Sequence, residues 1–149
     1  MLMKTHLVIG AFAVVFFLPY VSHKLIFVPV VLIASLLPDI DSGFSTLGRR
    51  KIFRPLQFLT KHRGIIHSFT FCIAVSVLLA FYFPLIAFPF FLGYALHLLA
   101  DSWTIEGIRP FWPLKDISRG KIRVGGTMEE TVFIVFIILD AIFLIFLFI

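Results

Sequence analysis

Charge is what this sequence has least of. Asp, Glu, Lys and Arg make up 14% of its 149 residues, against 60% hydrophobic residues that include 20 phenylalanines. Mean hydropathy is +1.08. A soluble domain of this length cannot hide that much apolar surface, so the composition implies an integral membrane protein. Cysteine is nearly absent. Cys72 stands alone, which excludes an internal disulfide and reads most simply as a small core residue. Repeats and low-complexity tails are missing as well. Lys4 followed by an apolar run has the outline of a signal peptide, but "LPYVSHK" lacks a small-x-small cleavage site, so the segment is expected to be kept. The length fits one domain, 1–149.

What is present is long apolar runs. A hydrocarbon core of about 30 Å needs roughly 20 apolar residues of helix. The sequence predicts an all-α integral membrane bundle of about five transmembrane helices, at 5–21, 24–40, 65–83, 85–103 and 131–149. The second run is the weakest, because "LIFVPVVLIASLL" is short and contains Pro29. Pro19 and Pro84 mark tight turns between neighbouring spans. Loops are expected at 41–64 and 104–130, the latter with short strands such as "KIRV". Gly93, Ala95 and Ala100 let the fourth helix approach its neighbours. Trp103 and Trp112 read as interfacial anchors.

Alternating spans bring particular residues to one face. Their ends on that face carry His6; Asp39 and Asp41; His62 and His67; His97 and Asp101; Glu129 and Glu130. The opposite face has only His23 and Lys24. Ionisable groups near a membrane are costly and seldom accumulate without partners. His97 and Asp101, four apart, stack on one helical face about 6 Å apart along the axis. Histidine and carboxylate without cysteine suit zinc, one or two ions, with Mn or Fe as alternatives. An open coordination position on such a metal acidifies water into a nucleophile at neutral pH. Each residue also has a plainer reading. A boundary histidine is commonly interfacial, "PDID" makes a polar turn, His97 and Asp101 can pair with each other, and Glu129 and Glu130 suit a helix start.

The same face holds twelve of the thirteen Lys and Arg residues: Lys4, six in the first loop and five in the second. By the positive-inside rule it is cytoplasmic, with the C-terminus outside. Such loops also attract phosphate-bearing lipids. No nucleic-acid partner is expected.

"HLVIGAF", "LLPDIDS", "HRGIIHS", "LGYALHLLADSWT", "GIRPFWP" and "GGTMEE" occur in an order that resembles the YdjM-like predicted membrane-bound metal-dependent hydrolases. The ligand order is more distantly similar to zinc-dependent phospholipase C and P1-type nucleases. The resemblance implies metal ligands at His6, Asp39 or Asp41, His67, His97, Asp101 and Glu130, and His62 joins them as a candidate. Gly126 stands where those enzymes carry another histidine, so one or two metals fit better than three. Together these readings give an expected membrane phosphoesterase acting on a lipid or lipid-linked headgroup. Arg63, Arg109 and Arg123 would offset phosphoryl charge, and an aspartate of "PDID", Asp39 in the first place, would serve as base. A metal-ion or proton transporter is the alternative, with Asp140 about 15 Å deeper than Glu130. A non-catalytic protein whose metal only clamps helix ends uses the same residues.

Overall fold

The computed structural model describes residues 1–41 and 64–149. Among them are five α-helices and no strand: α1 (Met3–Phe17), α2 (Lys24–Ala34), α3 (Phe69–Tyr82), α4 (Pro84–Ser102) and α5 (Thr127–Phe148). The expected all-helical membrane architecture is present, but its helices are unequal. α1 with its 3-10 continuation to Tyr20, α4 and α5 are long and apolar enough to cross a membrane. α2 and α3 have 11 and 14 residues, lengths of about 16 and 21 Å against a core of about 30 Å. The expected bundle of about five helices is thus present among the described residues, three of them long and apolar enough to cross a membrane and two shorter.

Two sequence features cut the short helices back. In α2 the helix ends at Ala34, and Leu37–Asp41, with Pro38 near its start, turns as a 3-10 segment. α3 begins later than the apolar run, at Phe69, because Ser68 takes an extended conformation and its side chain accepts a hydrogen bond from Phe71 N–H at 3.2 Å. His67 therefore precedes the helix rather than lying a turn inside it.

α4 is the central element, packed against α1, α2 and α3, while α5 lies along α1. α1 and α5 run in the same direction, since Thr5 meets Glu129, Phe12 meets Phe136 and Phe16 meets Phe143 in turn. Glycine permits the closest approaches. A Cβ on Gly93 would collide with the carbonyl of Val31, and one on Gly10 would stand 3.0 Å from Ser35 Oγ. These two positions draw α4 and α1 onto the end of α2. Gly93→Val is expected to push α2 from α4 and to destabilise the protein by about 1–3 kcal/mol, the usual cost of overpacking. Thermal unfolding in detergent reads it, and a variant as stable as wild type would show that the helices are not so tightly apposed.

The stretch 103–126 is ordered by backbone hydrogen bonds rather than by the expected strands. Ile105 N–H donates to Ile122 O and Ile122 N–H to Trp103 O, both at 3.0 Å. Only isolated bridges form, Thr104 with Ile122 and Ile108 with Ser118. Ile108 drops into the core beside Ile66, Tyr94 and Leu98, and Phe69 N–H donates to Pro110 O at 2.8 Å. The loop is thus fastened to the end of the bundle where α3 begins.

Candidate metal centre

The helix ends at that side converge. His6 of α1, Asp39 after α2, His67 before α3, and His97 and Asp101 of α4 meet in two overlapping groups: His6, His97 and Asp101, and Asp39, His67 and His97. Ligand atoms within each group lie within 4.8 Å of one another. The three imidazoles and Asp101 are buried, while Asp39 is 14% exposed.

Each side chain is held in place by its own element. Tyr94, one turn before His97, donates its hydroxyl to Ile66 O at 2.7 Å, and so pins the segment that carries His67. His97 Nδ1 lies 2.8 Å from Ser35 O. A carbonyl only accepts, so Nδ1 carries the proton and Nε2 presents its lone pair to the cluster. A backbone carbonyl fixing the tautomer in this way is the usual support for a metal-binding histidine. The His6 ring stacks on that of His97, with centroids 3.7 Å apart and planes 11° from parallel.

The spacing suits a shared cation better than direct contact. His6 Nε2 is 3.4 Å from Asp101 Oδ1; His67 Nε2 and His97 Nε2 are each 3.7 Å from Asp101 Oδ2; and His97 Nε2 is 4.0 Å from Asp39 Oδ1. Hydrogen bonds between such groups run at about 2.7–3.2 Å. Two ligands at about 2.1 Å from one tetrahedral zinc stand roughly 3.4 Å apart. His6 Nδ1 and Nε2 and His97 Nε2 are buried with no hydrogen-bond partner among the described residues, whereas buried polar atoms ordinarily have one. The donor set therefore fits a divalent cation. Because Nε2 of His97 has one lone pair, it would serve one ion. The Met1 ammonium also forms a buried ion pair with Asp101. Burial is the main influence on the Asp39 carboxyl and raises it above the usual carboxylate range, opposed by the nearby His6 and His67 rings. A dication beside it would reverse that balance.

The late carboxylate requires a correction. Glu130, the expected ligand, is 63% exposed and lies 3.4 Å from Lys4 Nζ. Its neighbour Glu129 is the buried one. Oε1 of Glu129 accepts from Leu2 N–H at 2.5 Å and Thr5 Oγ1 at 2.9 Å, and Oε2 accepts from Gly125 N–H at 2.7 Å. Glu129 thus ties the start of α5 to the start of α1 and belongs to neither ligand group. The sequence does contain the signal: with Gly126 as the N-cap, Glu129 is the third residue of α5, where a glutamate folds back onto the preceding backbone.

Arg109 and Arg123 are exposed in the loop between α4 and α5. The side chain of Asp41, together with His62 and Arg63, lies outside the described residues. Asp140 is far along α5, and its Oδ1 has no hydrogen-bond partner among the described residues. Sequence reasoning missed Ser35, whose contribution comes through its backbone and leaves no mark on residue choice.

A family model, YdjM inner membrane protein, matches residues 1–149. The inner membrane protein YdjM of Escherichia coli K12 is 36% identical over 100 residues, covering 59% of this chain and 50% of that protein. An uncharacterized protein of Bacillus subtilis 168, YvsG, is 31% identical over 96 residues, 58% of this chain and 60% of that protein. The chain thus spans about half the length of the curated relatives it matches. No solved structure matches it. The family and the apolar helices together support a location in the cell membrane. With its buried His and Asp cluster at one end of an apolar bundle, the chain belongs to the YdjM inner membrane protein family.

Proposed function

We propose that the chain is a membrane-bound metal-dependent hydrolase that cleaves a phosphoester on a lipid or lipid-linked headgroup at the cytoplasmic face. The observation that carries this reading is the set of buried imidazole nitrogens, led by His97 Nε2, turned toward two carboxylates at spacings of 3.4–4.0 Å. A bound zinc ion, or Mn or Fe in its place, supplies Lewis acidity and lowers the pKa of water. The chain does the rest. His6, His67, His97 and Asp101 would hold the cation, and the Ser35 carbonyl keeps His97 in the competent tautomer.

Asp39, the partly exposed member of the cluster, would accept the proton of the attacking water. Arg109 and Arg123, on the loop tied to this end, offset the charge that grows on the phosphoryl oxygens, with Arg63 in the same role. The excess of Lys and Arg on these loops supports a cytoplasmic site.

Elemental analysis of protein purified without chelators, run beside hydrolysis of a chromogenic phosphodiester and a panel of phospholipids, tests the proposal. About one transition-metal ion per chain is expected, with hydrolysis lost to a chelator and restored by zinc. Protein free of transition metal would overturn it. Metal retained without turnover on any phosphoester would make the centre a structural clamp.

A further inference from the structure

A cavity of about 300 Å³ lies between α1, α4 and α5; no member of the His and Asp cluster lines it, but two of its wall residues adjoin cluster residues along their helices. At the cluster end its walls include Ile9, one turn beyond His6, and Ala100, the residue before Asp101. The far end is formed by Phe17 and Leu92. Ile9 to Phe17 along α1 and Ala100 to Leu92 along α4 are eight residues each, so the groove runs about 12 Å into the hydrophobic layer. No charged or hydroxyl-bearing side chain lines it. Phe16, Leu99 and Trp103 at its rim are exposed, so it opens sideways to surrounding lipid rather than to water.

We propose that this groove holds one hydrocarbon chain of a lipid whose polar headgroup lies over the His6–His97–Asp101 end, which makes the substrate class an amphiphile that stays in the bilayer. This rests on the hydrolase reading for what happens to the headgroup, though not for the groove's occupancy. An apolar slot at membrane depth is filled by the medium around it, and the medium is hydrocarbon chains. Lipid tails are as apolar as the walls, so apolar contact alone gives no preference for the groove over bulk bilayer. The preference comes from the tether: a headgroup held at the cluster leaves its chain lying along the only direction the groove allows. Length matters for the same reason, because a water-soluble phosphoester reaches the cluster but leaves the groove empty.

The test is photocrosslinking in nanodiscs with a phospholipid that carries a diazirine near the end of one acyl chain, with sites mapped by mass spectrometry. Label is expected on the groove stretches 12–17 of α1 and 92–96 of α4, and it should be lost in Ala13→Phe, which fills the groove wall. Leu99→Trp, at the rim, serves if Ala13→Phe does not fold, and is expected to give the same loss. Metal content, measured in parallel, should stay at the wild-type level in either variant. Label spread evenly over outward residues such as Phe81 and Ile145, or unchanged by both substitutions, overturns the groove assignment. Groove label in a protein that holds no metal and hydrolyses nothing leaves the groove standing and removes the hydrolase reading instead.

Discussion

Replacing His97 by alanine is expected to strip the centre of its cation. His97 belongs to both ligand groups, so no arrangement of the remaining four residues keeps an equivalent site. Loss of a supporting residue behind a ligand typically costs 10–100-fold in metal affinity, and loss of the ligand itself should exceed about 100-fold. Metal content by elemental analysis falls to background, and any phosphodiester hydrolysis falls with it. His97→Gln, closer in size, separates this effect from the cavity that alanine leaves. Gel filtration and thermal unfolding report whether the bundle persists. A folded His97→Ala protein with its full complement of metal would remove the centre from consideration.

The second large effect concerns neighbours of identical chemistry. Glu129→Ala leaves Leu2 N–H, Thr5 Oγ1 and Gly125 N–H without their shared acceptor. The Thr5 hydroxyl is the fully buried one of the three, so the bundle should lose about 1–3 kcal/mol for it and less for the two partly buried N–H groups. Glu130→Ala removes an exposed contact with Lys4 and should stay within about 0.5 kcal/mol of wild type. Thermal unfolding in one detergent distinguishes them, and metal content should be unaffected in Glu130→Ala. The opposite ranking, or metal lost from Glu130→Ala alone, would return Glu130 to the interior as a ligand.

The contrast between these two glutamates marks how far the sequence could be read. The apolar runs and their alternation were sufficient to gather His6, Asp39, His67, His97 and Asp101 at one end, because a chain crossing back and forth has little freedom over which helix ends meet. Choosing between Glu129 and Glu130 needed the rotation of α5 about its axis, which is apolar on nearly every side and carries little phase information. The lengths of α2 and α3 were obscured for a related reason. Hydropathy registers Ser35–Pro38 and Ile65–Ile66 as continuing the apolar runs, whereas the backbone stops being helical at the Ala34 end and has not begun before Phe69. Ser35 was invisible altogether, since a carbonyl acceptor is common to every residue. The loop 103–126 was legible as irregular and rich in turns, but its fastening through Ile108 and Pro110 depends on contacts that no local pattern encodes.

The unequal helices have a consequence for the lipid around them. Among the described residues, α2 and α3 are shorter than α1 with its continuation, α4 and α5, and a bilayer beside a short apolar helix thins or tilts to match it. Such thinning at the ends of α2 and α3 would bring the glycerol level of the leaflet toward Asp39 and the His67 turn. A molecule anchored in the sheet could then bring its polar end to the histidines by lateral drift, without being lifted out of its neighbours.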